Sequence, residues 1–175
     1  NYSDGNEFTE FYRDLWLFIY FCNGINVADL INLKFSDIQN GEISFIRQKT
    51  KDRTRDSKRI YAPITPEMQS IIDKWGNNPR KSTYIFPFMK AGDDAWEHEK
   101  KKKNLTKHIN DRMKVIGEKL NIGKITTYVA RHTYATVLRN EGVPVAIISP
   151  MLGHTSITTT EIYLADLESE NRARN

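Results

Sequence analysis

The chain has 175 residues and a formal net charge of +4, with a single cysteine, Cys22. That length suits one domain with its own core. One thiol excludes an internal disulfide and a cysteine-based zinc cluster, and no apolar run is long enough to span a bilayer. A soluble, cytoplasmic protein without a membrane partner is expected. The positive charge is clustered: Arg47, Lys49, Lys51, Arg53, Arg55, Lys58 and Arg59 stand against Asp52 and Asp56, and a second run covers Lys100 to Lys103 with Lys107. Such runs are either solvated faces or phosphate contacts.

From Phe8 to Phe21, apolar residues recur at helical spacing around much of the circumference, which predicts a buried helix closed by Gly24, with Cys22 as core filling. A short amphipathic segment follows through Val27, Leu30, Ile31 and Leu33. Between Ile38 and Pro63 the period becomes two: Ile43 with Phe45 and Ile60 with Ala62 alternate with polar neighbours, and Gly41 marks a turn, so a small antiparallel sheet is expected. Thr65-Pro66-Glu67 reads as a helix start and Gly76 as its end. Tyr84 to Phe86 is a short strand or turn, and Trp96 is expected to pack. A long helix from His98 to Leu120 presents the stripe Leu105, Ile109, Met113, Ile116 and Leu120, with its lysines facing a nucleic-acid backbone. Thr126 or Thr127 caps the next helix, which stops at Gly142; Pro144 opens another; and Thr158 with Glu161 suggests a capping box for a last one. The fold class expected is mixed α+β, mainly helical with a small antiparallel β-sheet.

The last helices carry a chemical pattern. Thr126 to Tyr163 reads TTYVARHTYATVLRNEGVPVAIISPMLGHTSITTTEIY, with Arg131, His154 and Tyr163 at spacings that short helices could fold onto one point. A tyrosine hydroxyl can attack a DNA phosphate and hold it as an ester, splitting one transfer into two reversible steps. The charge spread over phosphoryl oxygens calls for a forked, permanent cation, and Arg131 fits. The leaving 5′ oxygen needs a proton, which a lysine or histidine can supply. Tyr128 shares a helix face with Arg131, and His132 reads as a buried histidine tying its helix to a backbone carbonyl.

This window resembles the catalytic domain of the tyrosine recombinase (phage integrase) family. The segment CNGINVADLINLKFSDI resembles the family's first signature, with Gly24, Ile25, Asp29 and Leu30 in place. The resemblance implies a site-specific DNA recombinase that cleaves and rejoins DNA through a covalent 3′-phosphotyrosine on Tyr163, with no cofactor or metal. It implies Arg131 as the second arginine, His154 in Leu-Gly-His as a phosphate contact, Lys49 on the basic hairpin as leaving-group acid with Lys51 as the alternative, and Tyr128 where a histidine usually stands. Asn26 occupies the position of the first arginine. A neutral amide has no fork, so either a substitute serves, Arg47 before Arg13, or the chain is a catalytically weakened DNA-binding relative. A general RNA-binding domain lacks a stacking motif here. The resemblance also implies that residues 1–175 form the catalytic domain, with the N-terminal core-binding domain outside this chain, and that double-stranded DNA is bound by a homo-tetramer on paired sites with C-terminal tail exchange.

Overall fold

The structure is a computed structural model and describes residues 2–48 and 59–174, with only the backbone from residue 168 onward. Lys49, Lys51, Arg53, Arg55 and Lys58 lie outside the described residues. Helix α1 (Glu7–Phe21) starts where the Asn6 side chain accepts hydrogen bonds from the backbone N–H groups of Phe8 and Thr9, and Glu7 and Glu10 complement the dipole of its first turn. It buries Leu15, Phe18 and Ile19 and ends at Asn23 and Gly24, both with positive φ. The short helix α2 (Val27–Leu30) follows, then a single 3₁₀ turn at Phe35–Asp37.

Three antiparallel strands lie in the order β1 (Ile38–Gln39), β2 (Glu42–Phe45), β3 (Ile60–Pro63). Asn40 and Gly41, at φ of 53° and 77°, form the two-residue turn between the first two. Ile43 pairs with Ala62 and Phe45 with Ile60, so all four side chains enter the core from one face. Helix α3 (Pro66–Trp75) begins under Thr65, whose hydroxyl accepts from Met68 N–H, and stops at Gly76. Tyr84 bridges Lys34, and Ile85 and Phe86 beside it are buried.

Helix α4 (Ala95–Lys119) begins three positions before the expected His98, because the Asp94 carboxylate accepts from Glu97 N–H and caps the chain there. Leu105, Ile109, Met113 and Ile116 are buried as expected. Leu120 is not: it is 47% exposed, lying past the last turn. Trp96 is 64% exposed on the solvent side of the first turn, its ring under the Lys100 ammonium, and does not pack into the core. The lysines of its first turns form ion pairs within the chain. Lys100 pairs with Glu97, Lys101 with Asp93, and both Lys102 and Lys103 with Glu99.

Helix α5 (Thr127–Asn140) is capped by Thr126, is followed by Gly142 at φ 78°, and leads through Pro144 into α6 (Val145–Met151) and then α7 (Ile157–Arg174). The start of α7 is set by Ser156, whose Oγ accepts from Thr158 N–H, and not by Thr158 as the sequence suggested. Among the described residues two apolar clusters form. The larger joins α1 to α4 and the sheet and takes in Ala130; the smaller is Ala135, Ile148, Leu152, Leu164 and Leu167. Helix α5 therefore belongs to both, and Arg131 lies between Ala130 and Ala135 at their seam. Three hydrogen bonds hold α5 there: Trp16 Nε1 to Thr126 O (2.7 Å), Thr127 N to Asn110 Oδ1 (2.8 Å), and Tyr134 Oη to Asn23 Oδ1 (2.8 Å).

Candidate active site

Arg131 is only 7% exposed, and its fork is fully directed. Nη1 donates to Gly24 O at 2.9 Å, Nη2 donates to Leu152 O at 2.5 Å, and Nη2 also lies 3.3 Å from His154 Nε2. Burial, and then the charge of Arg47, pull its pKa down to about 10, while Tyr163, Asp29 and Tyr128 oppose the shift. It remains a cation at neutral pH. Gly24 makes the approach possible: at φ +62° a Cβ there would stand 2.8 Å from Arg131 Cα.

Arg47 enters the same place from the sheet side. Its Nη1 donates to Gly153 O at 3.1 Å, and its Nε lies 4.0 Å from Asp29 Oδ2. Consecutive carbonyls of the turn after α6 thus receive one guanidinium each. Gly153, at φ +67°, is required for this as well, since a Cβ would fall 2.5 Å from Arg47 Cδ and 2.4 Å from Ile60 Cδ1. Asp29 is the buried anion between the cations. Burial raises its pKa, and the Gln48 N–H at 2.7 Å, Arg47, the Asn26 amide and Arg131 all work against that rise. Asn26 itself is half-buried at the N-cap of α2 and contributes an amide to Asp29, not a charge. Arg13 is committed elsewhere, held by Asp14 and the carbonyl of Tyr2, and takes no part in this cluster.

The remaining groups come from the smaller unit. His154 Nδ1 is 2.8 Å from the hydroxyl of Thr160, and its ring centroid is 5.7 Å from that of Tyr163. Burial, then Arg131 and Arg47, hold the His154 pKa down at about 4, so the ring is neutral at pH 7. Tyr163 is half-buried, and its ring stacks on that of His132 at 5.1 Å and 15°. Tyr128 is 58% exposed and packs edge-on against His132, 6.5 Å from the Tyr163 ring. The structure thus brings Arg131, Arg47, His154, Tyr163 and Tyr128 together around one turn, with Asn26 behind Asp29. Lys49 is outside the described residues; the residue before it, Gln48, is anchored on Asp29. Sequence reasoning missed Thr160. Its place three positions before Tyr163 on one helix face was the available signal.

The architecture is that of known recombinases. A crystal structure of XerA recombinase superposes with a TM-score of 0.57 over 95% of this chain and 59% of that one, at 22% identity. The Tn1549 transposon integrase in complex with transposon right end DNA gives a TM-score of 0.60 over 97% of this chain and 61% of that one, at 16% identity. In sequence, the chain is 30% identical over 153 residues to the tyrosine recombinase XerA of Pyrococcus furiosus, covering 85% of this chain and 48% of that protein. It is 24% identical over 146 residues to the tyrosine recombinase XerC of a Roseiflexus species, covering 83% and 44%. The chain spans about half the length of these curated relatives. The profile of the phage integrase family matches residues 7–170, and the chain belongs to that family. No described helix is long and apolar enough to cross a membrane.

Proposed function

We propose that residues 1–175 are the catalytic domain of a site-specific DNA recombinase that works through a 3′-phosphotyrosine on Tyr163. The observation that carries this reading is the convergence of two guanidiniums, one imidazole and one phenol on the turn at Leu152–His154. Tyr163 Oη forms a bond to phosphorus as its proton passes to water, the P–O5′ bond breaks, and the 5′ oxygen takes a proton from Lys49, which is reprotonated from water. The step is balanced in protons and reversible, because the ester energy is kept in the Tyr163 link. Arg131 and Arg47 stabilise the charge on the non-bridging oxygens, which is the work a metal ion does in other phosphoryl transfers, so neither metal nor nucleotide is required. Arg47 serves for the arginine that Asn26 replaces. Its guanidinium binds Gly153 O, the carbonyl next to the one that Arg131 binds, which supports a second cation at the phosphate.

His154 faces the phosphate as a neutral hydrogen-bonding group, and Tyr128 lines the entrance with its exposed phenol. The partner is double-stranded DNA, bound in the cytoplasm. The core-binding domain of the full-length protein clamps the far side, and four copies assemble on paired sites by exchanging the segment after Tyr163. Incubation with a pool of nicked, random-sequence duplexes tests the chemistry. Wild-type protein forms a covalent adduct and Tyr163→Phe forms none; an undiminished adduct in the variant overturns the assignment.

A further inference from the structure

Thr160 is fully buried on α7, one turn before Tyr163, and its Oγ1 lies 2.8 Å from His154 Nδ1. On the other side of the ring, His154 Nε2 is 3.3 Å from Nη2 of Arg131. A guanidinium only donates. Nε2 therefore offers its lone pair to Arg131, the single proton of the neutral ring sits on Nδ1, and Thr160 Oγ1 accepts it. In that tautomer His154 has no N–H to present to a phosphate oxygen, and its lone pair would repel one.

Two changes could turn an N–H toward the phosphate. The ring could take a second proton, but it is half-buried beside two cations, Arg131 and Arg47, with the Tyr163 ring as a further neighbour. That environment keeps it neutral. Alternatively, the proton could be lost at Nδ1 and regained at Nε2 through water, leaving the charge unchanged. Nδ1 would then be a buried lone pair in need of a donor. A hydroxyl can accept in the first state and, after rotating, donate in the second; no other side chain of this size does both.

Building on the phosphodiester reading, we infer that Thr160 is a positioning residue for His154: its hydroxyl lets the imidazole exchange tautomers at constant charge, so that Nε2–H faces the phosphate when the site is filled. Because Thr160 and Tyr163 share a helix face, the same hydroxyl ties the phosphate-sensing histidine to the helix that carries the nucleophile.

The test uses the whole chain labelled with 15N-histidine, with His154 assigned by its loss in His154→Gln. In the free protein His154 resonates as the Nδ1–H tautomer, and on titration with inorganic phosphate it moves to the Nε2–H tautomer. Thr160→Val, which keeps the shape and removes the hydroxyl, loses that response and slows single-turnover adduct formation about tenfold, the value of one hydrogen bond in a buried site. Its affinity for the duplex pool is unchanged. Thr160→Ser recovers the response and most of the rate. An Nε2–H tautomer in the free protein, or a wild-type rate and response in Thr160→Val, overturns the inference. If wild-type protein forms no adduct, the recombinase reading fails, and the tautomer seen in the free protein still decides the role of Thr160.

Discussion

The two apolar clusters of the molecule are built on different scales, and the site draws a different part of its chemistry from each. The larger one packs Phe18 edge-on against Phe86, closes the sheet over Ile43 and Ala62, and runs along the length of α4. It holds the groups that must keep a fixed charge in a fixed place: Asp29, Arg47 and the root of Arg131. The smaller one rests on Ala135, Ile148, Leu152, Leu164 and Leu167. It holds His154, Thr160 and Tyr163, the groups to which the proposed reaction assigns the exchange of protons and bonds. Across the seam the two are joined through Arg131 to Leu152 O, Arg47 to Gly153 O and Tyr134 to Asn23. A larger unit that carries the buried charges thus meets a smaller one that carries His154, Thr160 and Tyr163, and the smaller cluster is expected to open at lower free energy.

The smaller cluster is most easily weakened at Leu164, which is 1% exposed within it. Leu164→Ala is expected to cost about 3 kcal/mol. Hydrogen exchange should speed up first in α6 and α7, while amides of α1 and α4 keep their protection. Equal loss of protection in all four helices would mean that the two clusters form one cooperative unit.

A smaller effect sharpens the same contrast. The folded-state pKa of His154 is about 4, below the ordinary value of 6.5. The unfolded chain therefore binds the proton first, and the stability this neutral ring contributes is present above pH 6.5 and lost as pH falls toward 4. The loss is about 2 kcal/mol after allowing for the ring's contact with solvent. It should appear as a slope in denaturant midpoint over that window, concentrated in the small unit, and His154→Gln should remove it.

Much of this was legible in the chain because it is local. The cap at Thr126, the stop at Gly142, the alternation in β2 and β3, and the stripe from Leu105 to Ile116 each depend on neighbours a few positions away. The pairing of Lys100, Lys102 and Lys103 was within reach too, since Glu97 and Glu99 stand one turn from them. What stayed hidden is long-range. Arg47 meets Gly153, and Arg131 meets Gly24, across more than half the chain, and no periodicity announces such contacts. Gly24 was visible as a helix stop, but neither it nor Gly153 as a gap through which an arginine passes. Likewise, the partner of Thr160 is decided by how the turn at Gly153 aims His154, which depends on backbone geometry at a single φ.

In the proposed reaction, Arg47 supplies the charge missing at Asn26. The direct measurement is the single-turnover rate of covalent adduct formation by Arg47→Ala on the nicked duplex pool, with Arg47→Lys and the double variant Arg47→Ala/Asn26→Arg alongside. Arg47→Ala is expected to lose about 100-fold or more, as for removal of one oxyanion donor, with only partial recovery in Arg47→Lys, which keeps the charge but not the fork, and substantial recovery in the double variant. An adduct rate in Arg47→Ala equal to that of the wild type would contradict it.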